Sequence, residues 1–278
     1  LIRLQKIEGF NMYGLDTNHW VISPAGGVTG EAYIAQSPDN KIFIKRNSSP
    51  FLAVLSAEGI VPKLLWTKRL ANGDVITAQK CLEARELTVQ EMGSRRVARL
   101  LKKIHGSEPL VFMLAKLGKE ALTTKSILLD LMTERKRHPL DPAIQEALSF
   151  LKQTALAVEH PVKRVCHSDI NHNNWLLDED DQLYLIDWDQ AVIADPALDL
   201  GMTLYGYVEE PRWGEWLTDY GYPLTTHLRL RMHWYMLANT ITFMFWHQSR
   251  YRLKEAADYR QRLVELNGMS RERFASGI

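Results

Sequence analysis

Hydrophobic and polar positions change their period partway along the chain. Between residues 20 and 79 the apolar runs are short and broken by turn residues. Trp20 to Ser23 is one such run, followed by the turn-rich stretch from Pro24 to Gly30. Glu31 to Ala35 and Lys41 to Lys45 predict two strands, with Pro38-Asp39-Asn40 turning between them. Phe51 to Glu58 predicts a short helix, ended by Gly59 and followed by Pro62. Lys63 to Lys68 and Asp74 to Gln79 predict a second strand pair around the hairpin dipeptide Asn72-Gly73. From Val89 onward the period becomes helical. Met92 to His105 spaces Val97, Leu100, Leu101 and Ile104 three and four apart. Ala143 to Val158 repeats that spacing, and Thr225 to Leu266 is helical again and rich in aromatics.

A β-rich start and an α-rich remainder, without alternation, predict an α+β fold of two lobes. The expected boundaries are an N-terminal extension over residues 1–19, a small β-rich lobe over 20–82 and a larger helical lobe over 83–278. Met12 lies just before the patterned region, so residues 1–11 are expected to be an upstream extension.

Composition narrows the picture. The 278 residues are 46% hydrophobic and 24% charged, enough apolar material for a real core. A formal net charge of +1 gives no electrostatic reason to expect nucleic acid as a partner. The basic run Arg95, Arg96, Arg99, Lys102 and Lys103 is expected to be a solvated helix face. Two cysteines, Cys81 and Cys166, make no disulfide framework and fit a reducing cytoplasm. Met232 to Trp246 is the nearest approach to a membrane span, but His233, Asn239 and Thr240 interrupt it, so no membrane insertion is expected.

Candidate chemistry concentrates between His167 and Asp187. Trp175 to Leu177 and Leu183 to Ile186 predict two short strands around the polar turn Asp178 to Gln182. Paired as an antiparallel hairpin, they bring Asn174 and Asp187 side by side at its open end. Asp169 sits in the loop leading in. Amide and carboxylate oxygens suit magnesium shared with phosphates. A remaining carboxylate can orient an attacking hydroxyl or take its proton. Asp and Asn also favour turns and caps, which is the plain alternative for all three.

His167-Ser-Asp169 followed by Asn174 resembles the HxDxxxxN catalytic loop of the aminoglycoside phosphotransferase and choline kinase superfamily. Ile186-Asp187-Trp188-Asp189 resembles its ID[WF][ED] motif, and Asp195-Pro196-Ala-Leu-Asp199-Leu200 its DPxxDL segment. The same block, with Phe43-Ile44-Lys45-Arg46-Asn47-Ser48-Ser49-Pro50, is similar to the YtmP/CcrZ group of Firmicutes, which is linked to cell-cycle control. The resemblance implies a two-lobed protein-kinase-like fold and an ATP- and Mg2+-dependent kinase acting on a small-molecule alcohol. It implies Asp169 as catalytic base, with His167 bracing the loop. Asn174 and Asp187 would hold the metal, and Asp199 would hydrogen-bond the loop backbone. Lys45 would meet the nucleotide phosphates beneath a loop of Gly26, Gly27 and Gly30. Adenine would dock on the backbone of Gln79 to Leu82, which includes Cys81.

One departure from the family pattern stands out. The helix expected to carry a glutamate for Lys45 has only Glu58, at its far end. Asp189 is open between the metal site, the acceptor and plain solvation. Trp213 and Trp216, in a turn-rich stretch, are candidates for the acceptor pocket. The resemblance points to a riboside, nucleoside or other sugar-like alcohol as acceptor, with choline, ethanolamine or an aminoglycoside as alternatives. A regulatory, kinase-fold binding protein with a cell-division or replication-control partner is the competing expectation.

Overall fold

The structure is a computed structural model, and it describes residues 20–25 and 32–274. Strands β1 (Val21–Pro24), β2 (Ala32–Gln36) and β3 (Lys41–Arg46) precede helix α1 (Phe51–Ala57). Strands β4 (Leu64–Arg69), β5 (Val75–Lys80) and β6 (Ala84–Glu86) follow. Helices α2 (Arg95–Gly106), α3 (Glu108–Lys116), α4 (Thr124–Arg135) and α5 (Pro142–Val158) lead to β7 (Arg164–Cys166). Three more strands, β8 (Trp175–Asp178), β9 (Leu183–Leu185) and β10 (Val192–Ala194), complete the central stretch. The chain ends in α6 (Ala197–Tyr207), α7 (Trp213–Tyr220), α8 (Thr226–Ser249) and α9 (Leu253–Phe274).

These elements form two compact units. The first contains the described residues up to Leu87 together with Asn173–Asp189. Its antiparallel sheet runs β1-β2-β3-β5-β4. Period-two alternation along β3 buries Ile42 and Ile44 while Lys41, Phe43 and Lys45 stay half-exposed. Those two isoleucines join Ala35, Leu70, Ile76 and Ala78 in a shared apolar cluster. Asn72-Gly73 turns β4 into β5 as expected, with Gly73 at φ +92°, a backbone region glycine adopts without a Cβ clash. A smaller sheet, β6-β8-β9, belongs to the same unit. The hairpin expected around Asp178 to Gln182 therefore groups with the β-rich unit, although the chain enters it from the helical one.

The second unit comprises Thr88–His172 and the described residues from Gln190 on. Its centre is α8, whose buried residues run from Leu228 to Phe245 and cover every face. A helix apolar all round is a core helix, which accounts for the hydrophobic run Met232 to Trp246. Among the described residues no helix is long and apolar enough to cross a membrane. Thr225 starts α8 by accepting the Leu228 N–H, and Trp234 Nε1 donates to the Leu151 carbonyl of α5 at 3.0 Å. The helical tail expected over Thr225 to Leu266 is two helices. The chain breaks at Arg250–Arg252, where Tyr251 takes a left-handed φ of +56°. Apolar periodicity resumes on both sides of the break, so the sequence pattern does not reveal it.

Candidate active site

The His167–Asp169 loop leaves β7, which pairs antiparallel with β10, Cys166 opposite Val192. Ser168 sits at φ +64°, a conformation costly for a residue with a Cβ. Asp199, fully buried in the first turn of α6, holds it there. Its Oδ2 accepts the His167 N–H at 2.8 Å and its Oδ1 accepts the Ser168 N–H at 2.9 Å. Ser168 Oγ donates to the Gln190 carbonyl, closing the loop from its other side. Sequence reasoning missed the rest of this brace. His105 Nε2 lies 3.1 Å from Asp199 Oδ2, and its Nδ1 lies 2.9 Å from the Tyr220 hydroxyl. Asp195 forms a buried, two-pronged ion pair with Arg231 and also accepts the Ala197 N–H, anchoring the start of α6.

His105, Cys166 and Asp199 bring a ring nitrogen, a thiol and a carboxylate within 4.8 Å of one another. Both Asp199 oxygens already accept N–H donors, and burial pushes the Cys166 thiol well up, so it stays protonated. The trio therefore works as a hydrogen-bonded brace, in which Cys166 Sγ donates to the Asp195 carbonyl.

Asp169 lines a cavity of about 460 Å³ in the helical unit. Asn171 and His172 from the same loop share its wall, with Tyr207 from α6, Phe243 and Trp246 from α8, and Tyr259 and Arg262 from α9. Burial pushes the Tyr207 and Tyr259 phenols up, so both are neutral near pH 7. Trp213 and Trp216 are not part of it. Both are core side chains of α7, 4% and 3% exposed, and Trp213 Nε1 donates to the Val208 carbonyl. They fell in a turn-rich stretch of sequence that folds as a short helix, and its apolar side turns inward.

In the β-rich unit the hairpin register is Trp175 opposite Leu185 and Leu177 opposite Leu183. The Ile186 N–H donates to the Asn174 carbonyl at 2.8 Å, so Asn174 faces Ile186 across the open end and Asp187 is the next residue along. Asp187 is exposed at φ +65°, a left-handed backbone that costs a residue with a Cβ. Lys45, near the end of β3, pairs with Asp189 at 3.1 Å. Helix α1 carries no acidic residue within Phe51–Ala57 and Glu58 is its C-cap; the lysine's carboxylate partner, Asp189, comes from the segment after the hairpin. The 144-residue separation hides this pairing from sequence reading.

Of the residues expected to meet adenine, Gln79 is buried in β5 with its amide donating to the Pro62 carbonyl. The N–H groups of Lys80 and Cys81 go to the Lys63 and Lys41 carbonyls. Leu82 follows, half-buried, after the strand. Gly26, Gly27 and Gly30 lie outside the described residues.

A model of the phosphotransferase enzyme family matches residues 31–233, well over half of the chain. The chain belongs to the phosphotransferase enzyme family. This phosphotransferase also shares its fold with solved structures. Choline kinase LicA from Streptococcus pneumoniae matches at a TM-score of 0.69 and 17% identity, over 95% of this chain and 98% of that one. The GDP complex of aminoglycoside 2'-phosphotransferase-IIIa matches at 0.71 and 14%, over 96% and 100%. A spectinomycin phosphotransferase, APH(9)-Ia, solved with ADP and spectinomycin, matches at 0.56 and 17%, over 89% and 91%. At these identities the likeness is one of fold: a β-sheet N-terminal part and a helical C-terminal part, as in kinases.

Proposed function

We propose that this phosphotransferase is an ATP- and magnesium-dependent kinase that phosphorylates a hydroxyl of a riboside, nucleoside or other sugar-like alcohol. The observation that carries this reading is Asp169 on the wall of a ligand-sized cavity, on a loop braced by Asp199. The nucleotide complexes of its structural neighbours support ATP as donor. In the reaction the acceptor oxygen bonds to the γ-phosphorus, the bond from that phosphorus to the β–γ bridging oxygen breaks, and ADP leaves with the electron pair. The hydroxyl proton passes to the Asp169 carboxylate. Asn174 and Asp187 fit a hard cation, since they offer amide and carboxylate oxygens at the same open end of the hairpin. Magnesium held there supplies charge neutralisation on the phosphates. Lys45 contacts the phosphates from β3, with Asp189 holding its ammonium group. Because the Lys80 and Cys81 N–H groups are already used, adenine docking falls to the Leu82 N–H and to the carbonyls of this stretch.

A second reading is a kinase-fold regulatory protein in cell-cycle or division control, as in the YtmP/CcrZ group, with weak catalysis. The replacement of a helix glutamate by the exposed Asp189 favours it. One experiment separates the two. ATP consumption is followed across ribosides, pentoses, choline, ethanolamine and aminoglycosides, for wild type and Asp169→Ala. The kinase reading expects magnesium-dependent turnover on at least one alcohol, falling by ~100-fold or more in the variant. Equal background hydrolysis by both proteins on every alcohol would sink it.

A further inference from the structure

The cavity beside Asp169 has a charge pattern of its own. Asp169 is its one carboxylate and Arg262 its one guanidinium among the described lining residues. Arg262 is half-buried and pairs with no carboxylate among the described residues. Its hydrogen bond is a long one, 3.4 Å from Nη2 to the Tyr205 carbonyl. A guanidinium has five N–H donors, so most of its capacity faces water or a ligand. Two more arginines stack on one of the lining residues. The Arg250 and Arg252 guanidinium groups lie 4.1 and 5.1 Å from the ring centroid of Trp246, a lining residue. On the wall itself one guanidinium, Arg262, therefore stands against one carboxylate, Asp169. The wall also carries aromatic rings at Tyr207, Phe243 and Tyr259, imidazole rings at His172 and His247, and an amide at Asn239.

A cationic alcohol gains little in such a cavity. The aromatic faces that would attract an ammonium by cation–π contact are partly taken, since Trp246 already carries two arginines. No second acid lines the cavity among the described residues, and Arg262 repels the charge across a half-desolvated space. An uncharged or anionic acceptor meets no such penalty and accepts hydrogen bonds from the guanidinium.

We propose that Arg262 sets the acceptor class of this cavity: it donates to oxygens of an alcohol that has no positive charge, and it bars cationic amino alcohols and aminosugars. This rests on the kinase reading above for the cavity's identity as the acceptor site. The test therefore has a turnover arm and a binding arm. In the turnover arm, kcat/KM is measured for a neutral riboside, a sugar carboxylate, choline and an aminoglycoside, in wild type, Arg262→Gln and Arg262→Glu. Wild type is expected to favour the uncharged or anionic alcohols over the cationic ones by ~10-fold or more. Arg262→Glu should move that ratio by ~100-fold towards the cationic acceptors, with Arg262→Gln in between. In the binding arm, the same four compounds are titrated calorimetrically into Asp169→Asn protein, with and without the Arg262 changes. If no alcohol is phosphorylated yet binding follows the charge order, the kinase reading fails and the charge rule stands. If wild type takes choline or the aminoglycoside as readily as the riboside, or if both Arg262 variants scale all four compounds by one factor, the charge rule is overturned while the kinase reading survives.

Discussion

Replacing Asp199 by asparagine changes almost no volume and isolates the charge and acceptor geometry of the loop brace. In the native protein one oxygen takes the Ser168 N–H, and the other takes the His167 N–H with His105 Nε2 beside it. An amide offers only one oxygen, so either orientation turns an NH2 group towards a backbone N–H. If the NH2 faces His105, that ring can accept from it, but His167 then loses its acceptor. At least one charge-assisted hydrogen bond disappears, worth about 1.5–3 kcal/mol, and one buried donor is left unpaired at about 1–3 kcal/mol. The sum is about 2.5–6 kcal/mol. Ser168 is released from its left-handed conformation, and Asp169 moves with it. Tryptophan fluorescence on heating should report a melting temperature lower by about 10 °C. Acceptor-dependent kcat/KM should fall by ~100-fold as the carboxylate of Asp169 loses its position. A variant that melts within about 2 °C of wild type and keeps kcat/KM within about threefold would refute the idea that Asp199 holds the loop.

Two further predictions concern charge elsewhere. Burial, helped by the Arg273 charge, pushes buried His233 down to about 4 from an ordinary 6.5. The unfolded chain then takes up a proton that the folded one refuses, so this contribution is complete above pH 6.5 and is lost as pH falls towards 4. Denaturant titrations should find stability lower by about 2 kcal/mol at pH 5 than at pH 7.5 from this residue, and His233→Gln should flatten that part of the slope; an unchanged slope would contradict the assignment. Asp189→Asn should leave stability within about 0.5 kcal/mol, because the carboxylate is 67% exposed, yet raise the KM for ATP by ~10-fold with kcat less affected; an unaltered KM would remove Asp189 from the nucleotide site.

What the sequence determined by itself was whatever short-range pattern can encode. Short apolar runs between turn residues gave β2 to β5, three-and-four spacing gave α2 and α5, and Asn72-Gly73 gave the hairpin between β4 and β5. The hairpin with Asn174 and Asp187 at its open end was also legible, because a hairpin's register follows from the length of its turn. The tertiary structure alone decided the partners of charged side chains. A polar residue's own segment shows that it needs a partner but not where that partner lies. Lys45 finds Asp189, Asp199 finds His105, and Arg231 finds Asp195, each across a long stretch of chain. The cavity wall follows the same logic. Trp213 and Trp216 looked like pocket residues because loops usually present their aromatics, but the segment folds as α7 and buries them. Trp246, Tyr259 and Arg262 looked like parts of one long helix. A single left-handed residue, Tyr251, separates α8 from α9, and the two helices then pack together and supply adjoining parts of one wall. Apolar spacing reports that a face is buried. Only packing decides what it is buried against, and so which side chains remain to meet a ligand.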